Sequence, residues 1–463
     1  MIKIIRFFSS ILIALGILQV PVVEYTPIEN REYTDTQIIT EPDESKFVKI
    51  TASDTGKDIY QTTDGVDFGY RYGPSIIYNA DGSIDAFFAA PGRLDEWDWI
   101  TYRHSPDGGE NWTDELKVLA PTPDSPDFYS CCDPGAIRIG DYYYLGYTST
   151  VNADGIDNNV FVARSKRPEG PYEKWNGNGW GGKPQPIIDY SGDPTTFGAG
   201  EPSFVVIGNT LYVYYTWRDG KLNQTRVATA DATDENWPAT LQYQGIAINH
   251  TSGASDSADV KYIEDYGKFI AVNTVDRFTD ESSVGIYMSN DGLNFAESYS
   301  LKTNIAAGCH NSGISSRPDG HIRLDDKVFL AYAYGNSWGF WNTRMHEVEI
   351  SLIDAPDFSG RDNQNAKINA ESQQPLWYAD CIGISTDPHE LVLSESGRGR
   401  FIDIYRFDST LESKKTLSGV TLSGYDENII EVNGRYIKPV SSGQTFVTAE
   451  WKNHTVEFVV TVE

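Results

Sequence analysis

The chain is 463 residues long, with 41 glycines, 28 tyrosines and a formal net charge of −29. Short apolar runs broken by Gly, Asp and Asn, without a sustained heptad, set aside a helical bundle and favour an all-β chain. The acidic balance excludes nucleic acid as a partner, because a polyanion would be repelled over most of the surface; it suits a soluble exported protein and can hold cations.

In chain order the first segment is MIKIIRFFSSILIALGILQVPVVEY (1–25). Lys3 and Arg6 form a basic head, and the stretch from Phe7 to Val23 is apolar and uncharged. That is the pattern of a signal peptide or N-terminal anchor, so a secreted or cell-surface location is expected. Residues 26–45 are polar and acidic and read as a tether. The four cysteines, Cys131, Cys132, Cys309 and Cys381, are too few for a disulfide scaffold at this length. A single bridge from Cys309 to Cys131 or Cys132 is left open.

From residue 46 onward one phrase returns five times. It reads YGPSIIYNADGSIDAFFAAP from Tyr72, CCDPGAIRIGDYYYLGYTS from Cys131 and GEPSFVVIGNTLYVYYTW from Gly200. It returns as ADVKYIEDYGKFIAVNT from Ala258 and HNSGISSRPDGHIRLDDKVFLAYAYG from His310. Each copy pairs two β-rich runs across a turn of Gly, Asp or Asn, which is a hairpin. A third run follows, ending near Trp112, Trp175, Trp237 and Phe295 in the first four copies. Ser105–Trp112 and Ser289–Phe295 carry Ser-x-Asp-Gly followed by Asn-aromatic, close to the Asp-box turn, and their Asp residues read as structural. Repeats of roughly 50 to 70 residues with three or four strands each are propeller blades. The expected fold is therefore a five-bladed β-propeller over 46–360.

The innermost strand of each propeller blade lines the central channel, and all begin at the same face. The residue heading that strand reads Gly73, Asp133, Glu201, Asp259 and, on the fifth blade, Asn311 beside His310. Three carboxylates thus converge on one mouth. The loops between second and third strands return to that face and are rich in Trp, Arg, Asp and Asn. They supply Trp97, Asp98, Trp217, Arg218, Arg277, Trp338 and Trp341. Indole faces stack on sugar C–H surfaces while Arg, Asp and Asn bind hydroxyls, so the mixture suits a carbohydrate pocket.

The pattern resembles the five-bladed glycoside hydrolases of family 43 and its related clan, which includes arabinofuranosidases, xylosidases and arabinanases. CDPGAI, VARSKRPEGPYEKW, GEPSFV and GCHNSGI carry the resemblance, over about residues 60 to 355. It implies an inverting glycosidase with Glu201 as general acid and Asp133 as the residue that orients and tunes it. It also implies that His310 sits by a central Ca²⁺ or water. An inverting mechanism needs an acid for the leaving oxygen and a base for the water, about 6.5–9.5 Å apart. Where the family has its blade-one Asp, this chain has Gly73. The base then comes from elsewhere, with Asp259, Asp98 and Asp67 as candidates.

After about residue 359 a polar linker and additional strands (361–409) lead into 410–463. There apolar and polar residues alternate as in a bacterial immunoglobulin-like β-sandwich, a type of module that spaces or attaches an exported enzyme. A non-catalytic sugar-binding propeller is one alternative function. A sialidase-like retaining glycosidase is another; it would gather three of Arg71, Arg93, Arg218 and Arg277 on a substrate carboxylate.

Overall fold

The computed structural model describes residues 40–463, apart from 62–69, 93–96, 151–156, 194, 220–221, 251–254, 256, 338–339, 360–382, 388–389, 408–412, 417–418 and 452–453. The N-terminal segment expected to be a signal peptide or anchor, most of the expected tether, Asp67, Arg93, Trp338 and Cys381 lie outside the described residues.

Strands dominate because apolar and β-branched runs are cut by turn residues, and the turns do what their sequences dictate. In the Ser105 turn the Asp107 carboxylate accepts from the Asn111 N–H (2.8 Å) and side chain (2.7 Å); in the Ser289 turn Asp291 accepts from the Leu293 and Asn294 N–H groups at 2.8 and 2.9 Å. These Asp residues are structural, as expected. Strands β1 (Phe47–Ala52) and β2 (Lys57–Tyr60) come first in the chain but belong to the last blade. Blade one is β3 (Tyr72–Tyr78), β4 (Ile84–Pro91), β5 (Asp98–Ser105) and β6 (Leu116–Leu119). Blade two is β7 (Cys132–Ile139), β8 (Tyr142–Thr150), β9 (Asn158–Ser165) and β10 (Glu173–Lys174). Blade three is β11 (Gly198–Ile207), β12 (Thr210–Asp219), β13 (Leu222–Asp231) and β14 (Gln242–Asn249), joined to blade two by a single parallel pair, Gly198 with Asn158. Blade four is β15 (Ala258–Ile263), β16 (Lys268–Val275), β17 (Ser283–Ser289) and β18 (Ala296–Leu301). Blade five begins with β19 (Cys309–Ile314); β20 (His321–Ile322) leaves it to pair with β15, and β21 (Val328–Ser337) and β22 (Phe340–Ile353) complete it. Its outer position is filled by β1, which runs antiparallel to β22 from Phe47–Ile353 to Ala52–Val348.

Five interblade cores close the circle. Ile77, Phe87 and Tyr102 of blade one meet Leu145, Tyr147 and Phe161 of blade two. Ile137 and Tyr144 meet Phe204, Val213 and the fully buried Trp237 of blade three. Val205 and Tyr214 meet Val260, Tyr262 and Phe269 of blade four. Ile270 and Ile286 meet Val48, Ile314 and Leu330 of blade five. Phe329 and Met345 return to Ile76, Ile84 and Phe88 of blade one.

Nearest the axis the first strands fasten to one another. The Ser75 hydroxyl accepts from the Ala136 N–H (2.9 Å), Ser203 from Val260 N–H (2.9 Å) and the Asp259 carboxylate from Ile314 N–H (2.9 Å). At the other two junctions the equivalent residues are Gly135 and Gly313. A methyl group on either would collide with the next blade's backbone, the carbonyls of Pro202 and Pro74.

The far end of the channel is capped. Residues 316–322 cross it and bond to the ends of four first strands. Ser316 exchanges bonds with Tyr78 and Ile76, the Pro318 carbonyl accepts from Arg138, Asp319 from Val206 and Gly320 from Tyr262. The His321 ring fixes the cap: Nε2 donates to the Val206 carbonyl at 2.6 Å and Nδ1 faces Glu264 at 2.8 Å, while Arg323 Nε donates to Glu264 at 2.8 Å. A carbonyl only accepts, so Nε2 carries a proton, and the Glu264 carboxylate favours a second proton on Nδ1.

The C-terminal strands enclose a core of their own. They are β23 (Gly383–Asp387), β24 (Glu390–Leu393), β25 (Arg400–Phe401), β26 (Asp403–Phe407), β27 (Ser413–Thr416), β28 (Val420–Ser423), β29 (Ile430–Asn433), β30 (Tyr436–Pro439), β31 (Gly443–Trp451) and β32 (His454–Val462). β24 runs parallel to β32, and Leu391, Leu393, Ile402 and Ile404 share a core with Ile437, Val447, Trp451 and Val460. The expected boundary at 410 is thus corrected, since strands from the 390s onward belong to this module. Cys131, Cys132 and Cys309 are buried and form no disulfide, which removes the bridge between them.

Replacing Gly313 with Ala is expected to cost about 1–3 kcal/mol by overpacking, read as a lower urea midpoint. His321 yields a pH signature. Burial opposes its charge, but the bonds to Glu264 and Val206 and the nearby Asp319 raise its pKa overall. Its contribution is therefore complete below the unfolded value of about 6.5 and is lost as pH rises through the higher folded value. The gap in melting temperature between wild type and His321→Gln should be widest at pH 6 and narrow on the alkaline side.

Candidate active site

Four first strands begin with the same backbone device. Gly73, Asp133, Glu201 and Asn311 have φ of 58°, 48°, 56° and 45°. At each, the register against the second strand slips, between Tyr72 and Ser75, Cys132 and Gly135, Gly200 and Ser203, and His310 and Gly313. These are β-bulges, where proline is tolerated because no ladder donor is needed, and Pro74, Pro134 and Pro202 follow three of them. Left-handed backbone costs a non-glycine residue on the order of 1–3 kcal/mol and concentrates at functional sites. Asp133 and Glu201 are both buried there, and the Glu201 N–H is anchored by donation to Thr148 Oγ1 of blade two at 2.7 Å. Gly73 lies against Asp133: a Cβ on it would stand 3.2 Å from Asp133 Cα and 3.6 Å from Oδ1.

Blade four lacks the bulge. Asp259 pairs with Val272 in regular register, which puts it level with Ser75, Gly135, Ser203 and Gly313, below the heads. Its carboxylate accepts from Ser203 Oγ (2.8 Å), Lys261 Nζ (2.5 Å) and the Ile314 N–H (2.9 Å). The expected catalytic role of Asp259 is therefore corrected: it fastens three blades together. The head position on blade four belongs to Ser257, to which Asn311 Nδ2 donates at 3.4 Å.

The third carboxylate at the mouth is Asp98, the first residue of β5 and buried. Its carbonyl accepts from the Cys131 N–H at 3.0 Å, which stitches it to blade two. The Tyr70 hydroxyl donates to Oδ1 at 2.5 Å and Tyr72 to Oδ2 at 3.2 Å. Burial pushes the Asp98 carboxyl up to about 7, helped by the nearby charge of Asp133 and opposed by the two tyrosines.

An aromatic wall surrounds these groups. Tyr70, Phe197, Phe278 and Trp341 form one cluster, with Tyr72 and Trp97 packed on it. The His310 ring stands 4.3 Å from Phe278, 4.4 Å from Trp341 and 6.5 Å from Tyr72, centroid to centroid. Among the described residues the trio of possible metal ligands within 4.8 Å of one another is Glu264, Asp319 and His321 in the far cap. There both His321 nitrogens are committed, so that trio is an ion-pair knot and does not suit a metal.

The other expected ligand-binding residues divide. Arg218 is buried, donates to Asn223 Oδ1 (3.2 Å) and the Ser255 carbonyl, and lies 5.8 Å from the Phe197 ring centroid. Arg277, 2 % exposed, lies 5.4 Å from the Phe278 ring centroid. Both join the aromatic wall, as does Trp97. Arg71 does not: it grips Glu115 through two bonds of 2.5 Å and stacks over Tyr60, which removes it from a sialidase-like arginine triad. Trp217 points to the other face of β12, 4.9 Å from the Tyr190 ring, with Arg226 over it at 4.1 Å. Tyr72, Phe197 and Phe278 belong to no motif that marks a site. The usable signal was position, since Tyr72 directly precedes the head residue Gly73.

No family model and no curated protein matches the chain. Similar solved structures include Zg3597, a family 117 glycoside hydrolase of Zobellia galactanivorans (16% identity, 66% of this chain and 92% of that chain, TM-score 0.47). The catalytic domain of the Coprinopsis cinerea family 62 α-L-arabinofuranosidase is another (13% identity, 66% and 98%, TM-score 0.48). A third is the endo-arabinase of Bacteroides thetaiotaomicron (14% identity, 63% and 97%, TM-score 0.45). Likeness at this level does not define a shared activity.

Because the folded pKa of Asp98 lies above the unfolded value of about 3.9, its stability contribution is present below that pH and lost as pH rises through about 7. Asp98→Asn should therefore melt higher than wild type at pH 8, by a margin that shrinks towards pH 4 in calorimetric scans.

Proposed function

We propose that the protein is an exported glycoside hydrolase that cleaves glycosidic bonds of a polysaccharide or oligosaccharide, with inversion, in the central pocket of the propeller. The observation that carries this reading is that Asp133 and Glu201 head neighbouring first strands on the same left-handed bulge, with Asp98 beside Asp133 and bonded to tyrosines of an aromatic wall. Glu201 is the general acid, giving its proton to the leaving glycosidic oxygen while water attacks the anomeric carbon from the opposite face. Asp133, on the adjacent first strand, orients Glu201 and favours its protonated form by charge. Trp97 and Trp341 offer ring faces to the sugar, and Arg218 and Arg277 bind hydroxyls at the wall. The cap supports a blind pocket, in which substrate enters and product leaves by one mouth. The basic head and apolar run at the N-terminus support export. The C-terminal strands are read as an immunoglobulin-like spacer that associates with the cell surface, without chemistry.

Gly73 favours a second reading, a propeller that binds sugar without cleaving it. One experiment separates the two. Wild type and Glu201→Gln are incubated with a panel of aryl glycosides, and released sugar and its first-formed anomer are followed by NMR. A hydrolase releases the inverted anomer, and the variant loses at least about 100-fold in kcat while still binding sugar. Sugar binding on a glycan array with no release by wild type selects the second reading.

A further inference from the structure

We propose that Tyr72 and Asp98 together form the base that activates water in this pocket, a hydroxyl–carboxylate pair replacing the side chain that Gly73 lacks. The proposal rests on the glycosidase reading above.

The head of blade one carries no carboxylate of its own: it is Gly73, and a Cβ there would stand 3.2 Å from Asp133 Cα. The next residue back, Tyr72, is half-buried at the same mouth, 5.5 Å from Trp341 and facing His310 across 6.5 Å. Its hydroxyl donates to Asp98 Oδ2 at 3.2 Å. Both Asp98 oxygens accept from tyrosine hydroxyls, so Asp98 acts on a water through Tyr72. Tyr70 donates to the other oxygen, Oδ1, and its own oxygen also lies 3.2 Å from the Trp97 carbonyl. That arrangement fixes the carboxylate plane and leaves Oδ2 for Tyr72.

A structural role explains this poorly. The groups facing Asp98 are Tyr70, Tyr72, Asp133 and the Cys132 thiol, and among the described residues no Lys, Arg or His pairs with it. A buried carboxyl beside a second carboxylate and without a cation destabilises the fold. The same surroundings make Asp98 a stronger proton acceptor than an ordinary Asp.

The step balances. As the water oxygen bonds to the anomeric carbon, one water O–H breaks and its proton passes to the Tyr72 oxygen. The phenolic proton of Tyr72 moves in turn to Asp98 Oδ2. The bond from the anomeric carbon to the leaving oxygen breaks, and that oxygen takes the proton of Glu201. Asp98 ends protonated and Glu201 ionised, and exchange with solvent resets both.

The test compares wild type, Asp98→Asn, Tyr72→Phe and Glu201→Gln on an aryl glycoside that wild type cleaves, across pH 4 to 9. Both dyad variants should lose about 100-fold or more in kcat with KM little changed. The acid limb of the wild-type kcat/KM profile should vanish from each. Melting curves show whether each variant is folded; should Asp98→Asn fail to fold, Tyr72→Phe alone decides. Wild-type kcat and an unchanged acid limb in Tyr72→Phe, with Glu201→Gln inactive, would sink the dyad and leave the glycosidase reading standing. A wild-type protein that releases no sugar from any glycoside overturns both.

Discussion

The innermost ring of contacts, where each first strand leans on the next, is the constraint from which the rest of the molecule follows. Three junctions are hydrogen bonds from a backbone N–H to Ser75, Ser203 or Asp259, and two are close backbone approaches allowed by Gly135 and Gly313. These contacts draw the five first strands together around the axis. Above that ring the bulges turn Asp133, Glu201 and Asn311 away from ladder geometry. The same ring sets the depth of the pocket and the strain at its rim. Asp259 belongs to the first of these functions, and Asp133 and Glu201 to the second.

Below the ring, residues 316–322 give the propeller a floor that four blades share. The His321–Glu264–Arg323 knot is electrostatically the reverse of the mouth. At the floor a buried acid is paired with cations and held well within its ionised range, lowered by His321 and Arg323 against the effect of burial. At the mouth Asp98 is buried with hydroxyls and a second acid, and its proton is held to about 7. Two carboxyls in one domain are thus driven in opposite directions by what surrounds them, one towards permanence and the other towards exchange.

Much of this was legible from local sequence, because the features are locally encoded. Acid–proline at the head of an apolar run is a bulge, and Ser-x-Asp-Gly is a turn that bonds to its own backbone, so the bulges at Asp133 and Glu201 are legible in blades two and three. Blade four misled because ADVKYI contains no proline and makes no bulge; without the inserted residue, Asp259 sits one ring deeper than the phrase implies. Trp217 and Arg218 are neighbours in sequence but occupy opposite faces of β12, a separation that the two-residue period of a strand foretells. Asp98 became prominent only through contacts with Tyr70, Tyr72 and Asp133, which come from distant positions. The strands from 390 to 404 are recognisable in the sequence as additional strands but not as part of the C-terminal module, because their partners, β32 and β30, lie at the far end of the chain.

The pairing of β1 with β22 joins the first strand of the propeller to its last, residues 47–52 to 348–353. A chain emerging N-terminus first must therefore carry an unsatisfied strand edge through the synthesis of some three hundred residues before its partner exists. Closure is the most non-local event in the domain, and such events are slow and exposed to misassociation.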